Sequence, residues 1–267
     1  MKNRRFIHCI LLGCCLAGFV FPVAGQGGAS AILSTAAEIY NEFKTAHPVA
    51  DSTQHIETET VQRVSNRLIK AVTDYYTRKK ATKELASFQW EVQLFQLKKE
   101  DAWCLPGGKI AVYDALIRVT QSDGSLAAVL AHEIAHVLLK HGDDRMKHIL
   151  KEFLGGKELA AALSAKPAET KDFYRMAYGN GDYVGVIRGF SAADEREADR
   201  LGAILCGLAG YKPEEALVFW ERMMHLRGTG RQPELLSTHP LDEARLSALR
   251  EMMDEIIEKY YIPSKKR

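Results

Sequence analysis

Cysteine is scarce in this chain, and the cysteine positions exclude a fold held together by disulfide bonds. Of the five cysteines among 267 residues, Cys9, Cys14 and Cys15 lie within the first fifteen positions, and only Cys104 and Cys206 lie in the rest of the chain. A small secreted domain built on disulfides needs several pairs. With 46% hydrophobic residues, this chain is instead long enough to bury a large core. We predict that Cys104 and Cys206 are two buried free thiols.

Long apolar runs are also scarce, and the one at the N-terminus is typical of a secretory signal. Residues 1–25 run from a basic start through the mostly apolar segment 6–20 to small residues before Gln26, the order found in such signals. We predict cleavage after Gly25 and a periplasmic mature protein without a transmembrane helix. The alternative is a lipoprotein cleavage box, Leu11-Leu12-Gly13-Cys14, which would anchor the protein to the outer membrane through Cys14.

Neither sign of charge dominates, which argues against a nucleic-acid-binding protein. The chain has 36 Lys and Arg against 34 Asp and Glu, a formal net charge of +2. Removal of the predicted signal takes away Lys2, Arg4 and Arg5 and no acidic residue, so the net charge of the mature chain falls from +2 to −1. A basic surface for nucleic acid is therefore not expected. No internal repeat is found, and the oligomeric state is left open, because the apolar stripes of the two N-terminal helices could cover the domain or form a dimer contact.

The segment His132-Glu133-Ile134-Ala135-His136 carries the clearest chemical signal. Residues four apart lie on one face of a helix, so His132 and His136 can reach the same metal ion. Glu133 is close enough to contact a water molecule on that ion. The surrounding residues 126–139 are otherwise apolar, which predicts a buried helix. The alternative is a pair of core histidines that bind backbone carbonyls.

A second polar helix offers a third metal ligand. Glu195 and Asp199 are four residues apart and share a helical face, an unfavourable arrangement for like charges unless a cation lies nearby. We expect Glu195 to bind the metal and Asp199 to accept a hydrogen bond from a ligating histidine. The alternative is an exposed helix in which Glu197 and Arg200 form an i,i+3 pair.

Another candidate is the histidine of Ser237-Thr238-His239-Pro240. Pro240 favours an extended backbone at His239 and suits the first position of a helix, in which Arg245 then lies about one and a half turns along. By itself this segment also fits a plain, well-capped helix start.

The remaining pattern is mainly helical, with two β-like stretches. Segments 88–96 and 109–113 have strand character and flank the turn signal Leu105-Pro106-Gly107-Gly108. Apolar residues recur at helical spacing in the other segments. The helices predicted in this way are 30–45, 57–76, 114–120, the motif helix, 157–164, 193–208, 213–226 and 242–260.

Several of these motifs together, in this order, resemble the M48 family of zinc metallopeptidases, in particular a secreted branch related to bacterial outer-membrane quality-control proteases and Oma1-like enzymes. The matching segments are Leu105-Pro106-Gly107-Gly108, His132 to His136, Glu195 to Gly202, Ala209-Gly210-Tyr211, and Ser237 to Pro240 with Arg245.

The resemblance implies an α+β, mainly helical, zincin-like fold with a small β-sheet beside the motif helix. Residues 1–25 would be the signal, 26–85 a helical segment that packs on the catalytic domain, 86–260 the peptidase domain and 261–267 a basic tail. The tandem helical repeats of some relatives are missing from this chain.

The resemblance also assigns roles at the site. It implies that His132, His136 and Glu195 bind one Zn²⁺ per chain, with Asp199 beside them. Glu133 would be the general base that assists attack of a zinc-bound water on a peptide carbonyl. The cleft residues His239 and Arg245 are our candidates for donors to the carbonyl oxygen. A further hypothesis makes His239 a fourth ligand in a latent enzyme.

A strand edge is our candidate for substrate binding. Pro106, Gly107, Gly108, Lys109 and Ile110 would form an exposed edge to which extended polypeptide adds through backbone hydrogen bonds; a plain hairpin turn is the alternative. We expect a zinc endopeptidase that cleaves misfolded or exposed envelope proteins. One rival is a latent zinc protein that binds unfolded polypeptide like a chaperone, and another is a helical protein without metal.

Overall fold

The computed structural model describes residues 26–51, 55–178, 189–231 and 233–263. The predicted signal, its cleavage site and Cys14 lie outside the described residues, as does the end of the predicted basic tail. Eleven α-helices, one short 3-10 helix (Thr82–Leu85) and three strands are found within the described part. The α-helices are α1 (Gln26–Ala46), α2 (His55–Arg78), α3 (Asp114–Thr120), α4 (Asp123–Leu138), α5 (His141–Phe153), α6 (Leu159–Ala165), α7 (Pro167–Ala177), α8 (Ala192–Ala209), α9 (Glu215–Gly228), α10 (Leu235–Thr238) and α11 (Glu243–Tyr260).

The strands form one small sheet in the order β1-β3-β2. Strand β1 (Glu91–Phe95) runs parallel to the central strand β3 (Lys109–Tyr113), and β2 (Ala102–Leu105) runs antiparallel to it. The predicted mainly helical α+β fold with a small sheet is therefore confirmed. Strand β2 also packs on the motif helix α4, so the sheet lies beside that helix as expected.

The prediction of an exposed strand edge at Lys109 and Ile110 is wrong. Both flanks of β3 are paired, one with β1 and the other with β2, so its backbone has no free edge. Sequence analysis missed β2 because its four residues are all buried and show no alternation of polar and apolar side chains. The glycine-containing turn connects β2 to β3, and its Gly108 N–H donates to the Leu105 carbonyl.

The sheet separates two hydrophobic cores. The first core contains Leu94, Ile110 and Val112 from one face, packed with α2, α4, α8, α9 and α11. The second core contains Phe95, Trp103 and other residues of the opposite face, packed with α1, α5, α6 and α7. Adjacent strand residues point to opposite faces, so both surfaces of this short sheet are covered by helices.

The helix boundaries follow from local capping. The Ser122 side chain accepts a hydrogen bond from the Ser125 N–H at the start of α4. Helix α8 begins with a capping box between Ser191 and Asp194 and ends at Gly210, which has a φ of 83°. Such caps satisfy backbone groups that the helix itself leaves unpaired.

Helices α5 and α7 are absent from the predicted set. The motif helix stops at a lysine, since Lys140 adopts the left-handed conformation (φ 64°) that is uncommon for any residue except glycine. Its neighbour His141 then starts α5. The apolar residues of α5, Met146, Ile149, Leu150 and Phe153, recur at helical spacing, so this helix could have been predicted from its sequence.

The two cysteines of the described chain are buried and free, which confirms the prediction for Cys104 and Cys206. Burial raises the pKa of both thiols because it disfavours the charged thiolate. No helix among the described residues is both long and apolar enough to cross a membrane.

Candidate metal centre

The two motif histidines of α4 lie on one face of the helix with their Nε2 atoms close together. His132 Nε2 and His136 Nε2 are 3.0 Å apart, and both side chains are buried. The helix is buried around its whole circumference, so these rings are polar groups inside an apolar environment. Buried groups of this kind need partners.

Helix α8 and the segment after α10 supply those partners. Glu195 places its carboxylate oxygens 3.4 Å from His132 Nε2 and 3.6 Å from His136 Nε2. His239 Nδ1 lies 3.2 Å from His132 Nε2 and 3.0 Å from Glu195 Oε1. One donor atom from each of the four residues falls within 4.8 Å of all the others. Residues distant in sequence, from two helices and a loop, thus converge on one point.

The spacing of these atoms fits a zinc ion. Tetrahedral zinc at 2.0–2.1 Å from imidazole nitrogens keeps its ligand atoms about 3.3 Å apart. Five of the six pairs among His132, His136, Glu195 and His239 have atoms 3.0 to 3.6 Å apart, and the His136–His239 pair lies within the 4.8 Å limit of the set. Imidazole nitrogen and carboxylate oxygen are also the donor types that zinc takes in hydrolytic sites.

Glu133 lies next to this cluster without belonging to it. Its Oε1 is 3.3 Å from His239 Nε2, and the side chain is buried. Burial raises the pKa of the Glu133 carboxyl to about 7, with the charge of Glu195 adding to the rise and His239 and Arg245 opposing it. A carboxyl group whose pKa lies near 7 can both take up and release a proton at physiological pH.

Asp199 and Arg245 form a second layer of contacts around His132 and Glu195. Asp199 Oδ1 is 3.0 Å from His132 Nδ1, the ring nitrogen opposite the one that faces the cluster. Arg245 donates to both Asp199 oxygens, from Nε at 2.7 Å and from Nη2 at 2.8 Å. Its Nη1 lies 2.5 Å from Glu195 Oε2 and donates to the Pro240 carbonyl at 3.0 Å.

These contacts change the role that we assign to Arg245. Its Nε, Nη1 and Nη2 are all engaged with Asp199, Glu195 or Pro240, its side chain is buried, and its guanidinium stacks on Trp220 at 4.4 Å. A guanidinium used in this way is not free to reach a substrate carbonyl. These contacts favour a role for Arg245 in positioning Glu195 and Asp199 over the predicted donor role, which stays a prediction.

The same ion pairs keep both acids charged. Burial by itself would raise the pKa of the Glu195 and Asp199 carboxyls, but the positive charge of Arg245 and contacts with His239 at Glu195 and His132 at Asp199 hold both pKa values below the usual range. The carboxylate form is the one that binds a metal or accepts a hydrogen bond from an imidazole N–H.

Comparison with known proteins identifies the chain. Residues 56–253, well over half of its length, match the family described as Peptidase family M48. The chain belongs to this family. The predicted family and enzyme class, a metallopeptidase, are thus confirmed.

Two relatives of the M48 chain show how far the likeness extends. It is 28% identical over 202 residues to the mitochondrial metalloendopeptidase OMA1 of Schizosaccharomyces pombe, which covers 75% of this chain and 54% of that protein. It is 30% identical over 164 residues to the beta-barrel assembly-enhancing protease of Escherichia coli K12, covering 58% of this chain and 33% of that protein. The M48 chain thus spans between a third and about half of these relatives.

The predicted substrate residues Pro106, Gly107 and Gly108 of the M48 chain form a turn that packs against other parts of the fold. Pro106 and Gly107 line a cavity of about 360 Å³ between α1 and α5, and the residues of the metal cluster are not part of its lining. Gly108 packs against Trp90, where a Cβ atom would approach the indole ring to 2.5 Å. Its φ of +82° also favours glycine. These observations support the alternative interpretation of the motif as a hairpin turn.

Three aromatic or imidazole side chains at the site were not predicted. Phe190 stacks on His136 with ring centroids 4.0 Å apart, and Trp220 meets the edge of His132 at 5.2 Å. His141 Nδ1 lies 2.9 Å from His136 Nδ1. In the sequence, His141 stands where the motif helix ends, and nothing there indicates that the chain turns back towards His136.

Proposed function

We propose that this M48 peptidase is a zinc-dependent endopeptidase that cleaves misfolded or exposed envelope proteins. The observation that carries the proposal is the buried convergence of His132, His136 and Glu195 with Glu133 beside them. The predicted secretory signal in residues 1–25 supports a periplasmic location, with a lipid anchor at Cys14 as the alternative. Relatives named as a beta-barrel assembly-enhancing protease and a mitochondrial metalloendopeptidase support a role in proteolysis of other proteins.

The proposed mechanism divides the work among the residues of the cluster. His132, His136 and Glu195 would hold one Zn²⁺ per chain, and Asp199 would fix the ring orientation of His132. When bound, zinc supplies a Lewis acid that acidifies water and polarises a peptide carbonyl. Glu133 accepts the proton of the attacking water and returns it to the leaving amine, a task suited to a carboxyl whose pKa is about 7.

His239 has two possible roles in this mechanism. As a donor, its imidazole would stabilise the charge that develops on the substrate carbonyl oxygen. As a fourth ligand, it would occupy the position needed by water and keep the resting protein latent. The distance of 3.2 Å from His132 Nε2 and the position of His239 among the other ligands favour the second role in the described conformation.

Substrate would bind as extended polypeptide along β2. This strand, unlike β3, is paired on one side only within the described sheet, and it packs on α4. The Tyr113 N–H donates to the Asp101 carbonyl, so in an antiparallel ladder the backbone groups of Cys104 point away from β3. Backbone pairing there would favour unfolded segments over one fixed sequence.

The test compares three zinc-loaded proteins that begin at Gln26: the parent chain, Glu133→Gln and His239→Ala. We expect the parent or the His239→Ala variant to cleave casein and the Glu133→Gln variant to lose activity by a factor of at least about 100 while it retains zinc. Metal content per chain, measured on the same samples, checks the proposed stoichiometry of one zinc.

The His239→Ala variant separates the two roles of His239. Faster cleavage than in the parent would show that His239 holds the enzyme latent, and slower cleavage with zinc retained would show a donor role. If all three proteins bind zinc and none cleaves casein, the chaperone-like binding function replaces the peptidase. A parent chain without zinc would contradict the metal centre itself.

A further inference from the structure

His141 lies directly behind one of the proposed zinc ligands. Its Nδ1 is 2.9 Å from His136 Nδ1, whereas His136 Nε2 faces His132 and Glu195 in the cluster. The side chain of His141 is 6% exposed. The contact is therefore a buried pairing of two imidazoles at hydrogen-bond distance, on the side of His136 that faces away from the metal position.

Two imidazole nitrogens can share only one proton between them. If His136 carries its proton on Nδ1, its Nε2 presents a free electron pair towards the cluster and can bind a metal. If the proton sits instead on His141 Nδ1 and points towards His136 Nδ1, the neutral His136 ring carries its own proton on Nε2, where it blocks metal binding. The tautomer of His141 thus decides whether His136 is ready to act as a ligand.

The acids around His141 favour the first arrangement. His141 Nε2 lies 3.6 Å from Glu197 Oε2 and 3.9 Å from Asp194 Oδ1. These distances are too long for direct hydrogen bonds, but two carboxylates on this side attract the N–H of the ring. A proton on His141 Nε2 leaves its Nδ1 as an acceptor for the His136 Nδ1–H.

The position of His141 depends on the break between α4 and α5. The left-handed conformation of Lys140 ends α4, and His141 begins α5. Gly142 lets Tyr178 pack against this turn, since a Cβ atom would approach the Tyr178 ring to 2.2 Å. The backbone therefore fixes His141 against His136.

We propose that His141 is a positioning residue whose Nδ1 accepts a hydrogen bond from the His136 Nδ1–H and thereby holds His136 in the tautomer that binds zinc. The inference rests on the proposed zinc site. It gives the two ligating histidines similar surroundings, because each then has an acceptor atom near its Nδ1: Asp199 Oδ1 lies 3.0 Å from His132 Nδ1, and His141 Nδ1 lies 2.9 Å from His136 Nδ1. Acceptors of this kind orient metal-binding imidazoles and raise their affinity for the metal.

The test measures zinc affinity by competition with a chromogenic chelator for the chain from Gln26 and for three variants. His141→Ala removes the acceptor, and we expect zinc affinity to fall by about 10- to 100-fold. His141→Asn places an amide oxygen where Nδ1 of the imidazole lies, and we expect it to recover most of the loss. His148→Ala is the matched control, since His148 is an exposed histidine two turns further along α5, and we expect unchanged affinity.

Two further measurements separate positioning from a general effect on folding. The unfolding temperature of the zinc-free proteins should be alike for His141→Asn and the parent, and the visible spectrum of the cobalt-substituted protein should change in His141→Ala and return in His141→Asn. Tight zinc binding by the parent together with equal affinity in His141→Ala would overturn the inference and leave the proposed function intact. Failure of the parent to bind zinc would overturn the proposed function first.

Discussion

At the scale of single residues, the ion pairs of the candidate site join residues that belong to separate motifs in the sequence. His132 and His136 can be predicted as a pair because helical spacing is local. The partners of Glu195 cannot, because Arg245 lies fifty positions away and reaches Glu195 only after α8 and α11 have packed together. The sequence therefore indicates these side chains but not the ion pairs that join Arg245 to the two acids.

The arrangement around Arg245 predicts a large loss of stability when its charge is removed. In Arg245→Met the apolar part of the side chain is kept, but Glu195 and Asp199 are left as buried carboxylates without their shared cation. We expect the free energy of unfolding to fall by about 3–5 kcal/mol. Urea denaturation in the presence of a chelator measures this change without a contribution from bound metal.

The matched control lies on the same helix. Arg250 forms an ion pair with Glu221 at 2.6 Å, with both side chains about half exposed. Because solvent screens such a pair, Arg250→Met should change the free energy of unfolding by less than about 1 kcal/mol. Equal effects of the two substitutions would show that Arg245 contributes no more than a surface charge.

At the scale of elements, the geometry of the site depends on how closely α8 approaches α4. Gly202 of α8 faces the backbone of the motif helix, and a Cβ atom there would lie 3.1 Å from His132 N and 3.2 Å from His132 Cα. The absence of a side chain lets the two helices come close enough for Glu195 to reach both histidines. A single glycine thus sets how closely α4 and α8 can approach each other.

The close approach predicts the effect of Gly202→Ala. Alanine in place of glycine adds about 1 kcal/mol of helix propensity, but extra volume in a packed core costs about 1–3 kcal/mol. Because the neighbouring atoms belong to a helix backbone, we expect the cost to win, with a net loss of about 1 kcal/mol and weaker zinc binding. Thermal unfolding and chelator competition measure the two effects.

Gly228 provides the comparison for this substitution. It ends α9, and a Cβ atom there would meet nothing within 4 Å, so Gly228→Ala should leave stability unchanged or raise it by up to about 1 kcal/mol. A stabilising effect of Gly202→Ala, with zinc affinity unchanged, would contradict the idea that this glycine sets the spacing of α4 and α8.

The elements also show where prediction from sequence stops. Helices with a continuous apolar stripe, such as α2 and α11, are predicted within a few residues of their observed ends. Strand β2 is missed because it is buried on both faces and shows no alternation, whereas α5 has apolar residues at helical spacing but follows the motif helix directly across a left-handed lysine. The position of β2 is fixed by pairing with β3 and packing on α4, which a local pattern does not contain.

At the scale of the whole molecule, the first two helices lie on opposite sides of the sheet. Helix α2 belongs to the first core with the metal cluster, whereas α1 covers the other face and forms the second core with α5, α6 and α7. The family match begins at residue 56 and so includes α2 without α1. The proposed division into a helical segment 26–85 and a peptidase domain 86–260 thus groups two helices with different partners.

Removal of α1 tests how much the second core contributes to the stability of the fold. A chain that begins at His55 loses Ile39, Tyr40 and Phe43, which are buried against the sheet, and also the hydrogen bond from the Tyr40 hydroxyl to the Ile110 carbonyl. At about 1.5–3 kcal/mol for each buried side chain, the loss is on the order of 5–9 kcal/mol, comparable to the net stability of about 5–15 kcal/mol of a typical protein. We therefore expect the shortened chain to aggregate or to remain unfolded, and to bind zinc weakly although every proposed ligand is present.

The chain from Gln26, which keeps α1, should show one cooperative thermal transition. Circular dichroism and zinc competition on both chains measure the difference, and a cooperative, zinc-binding chain from His55 would show that the first core and the metal centre are stable without the second.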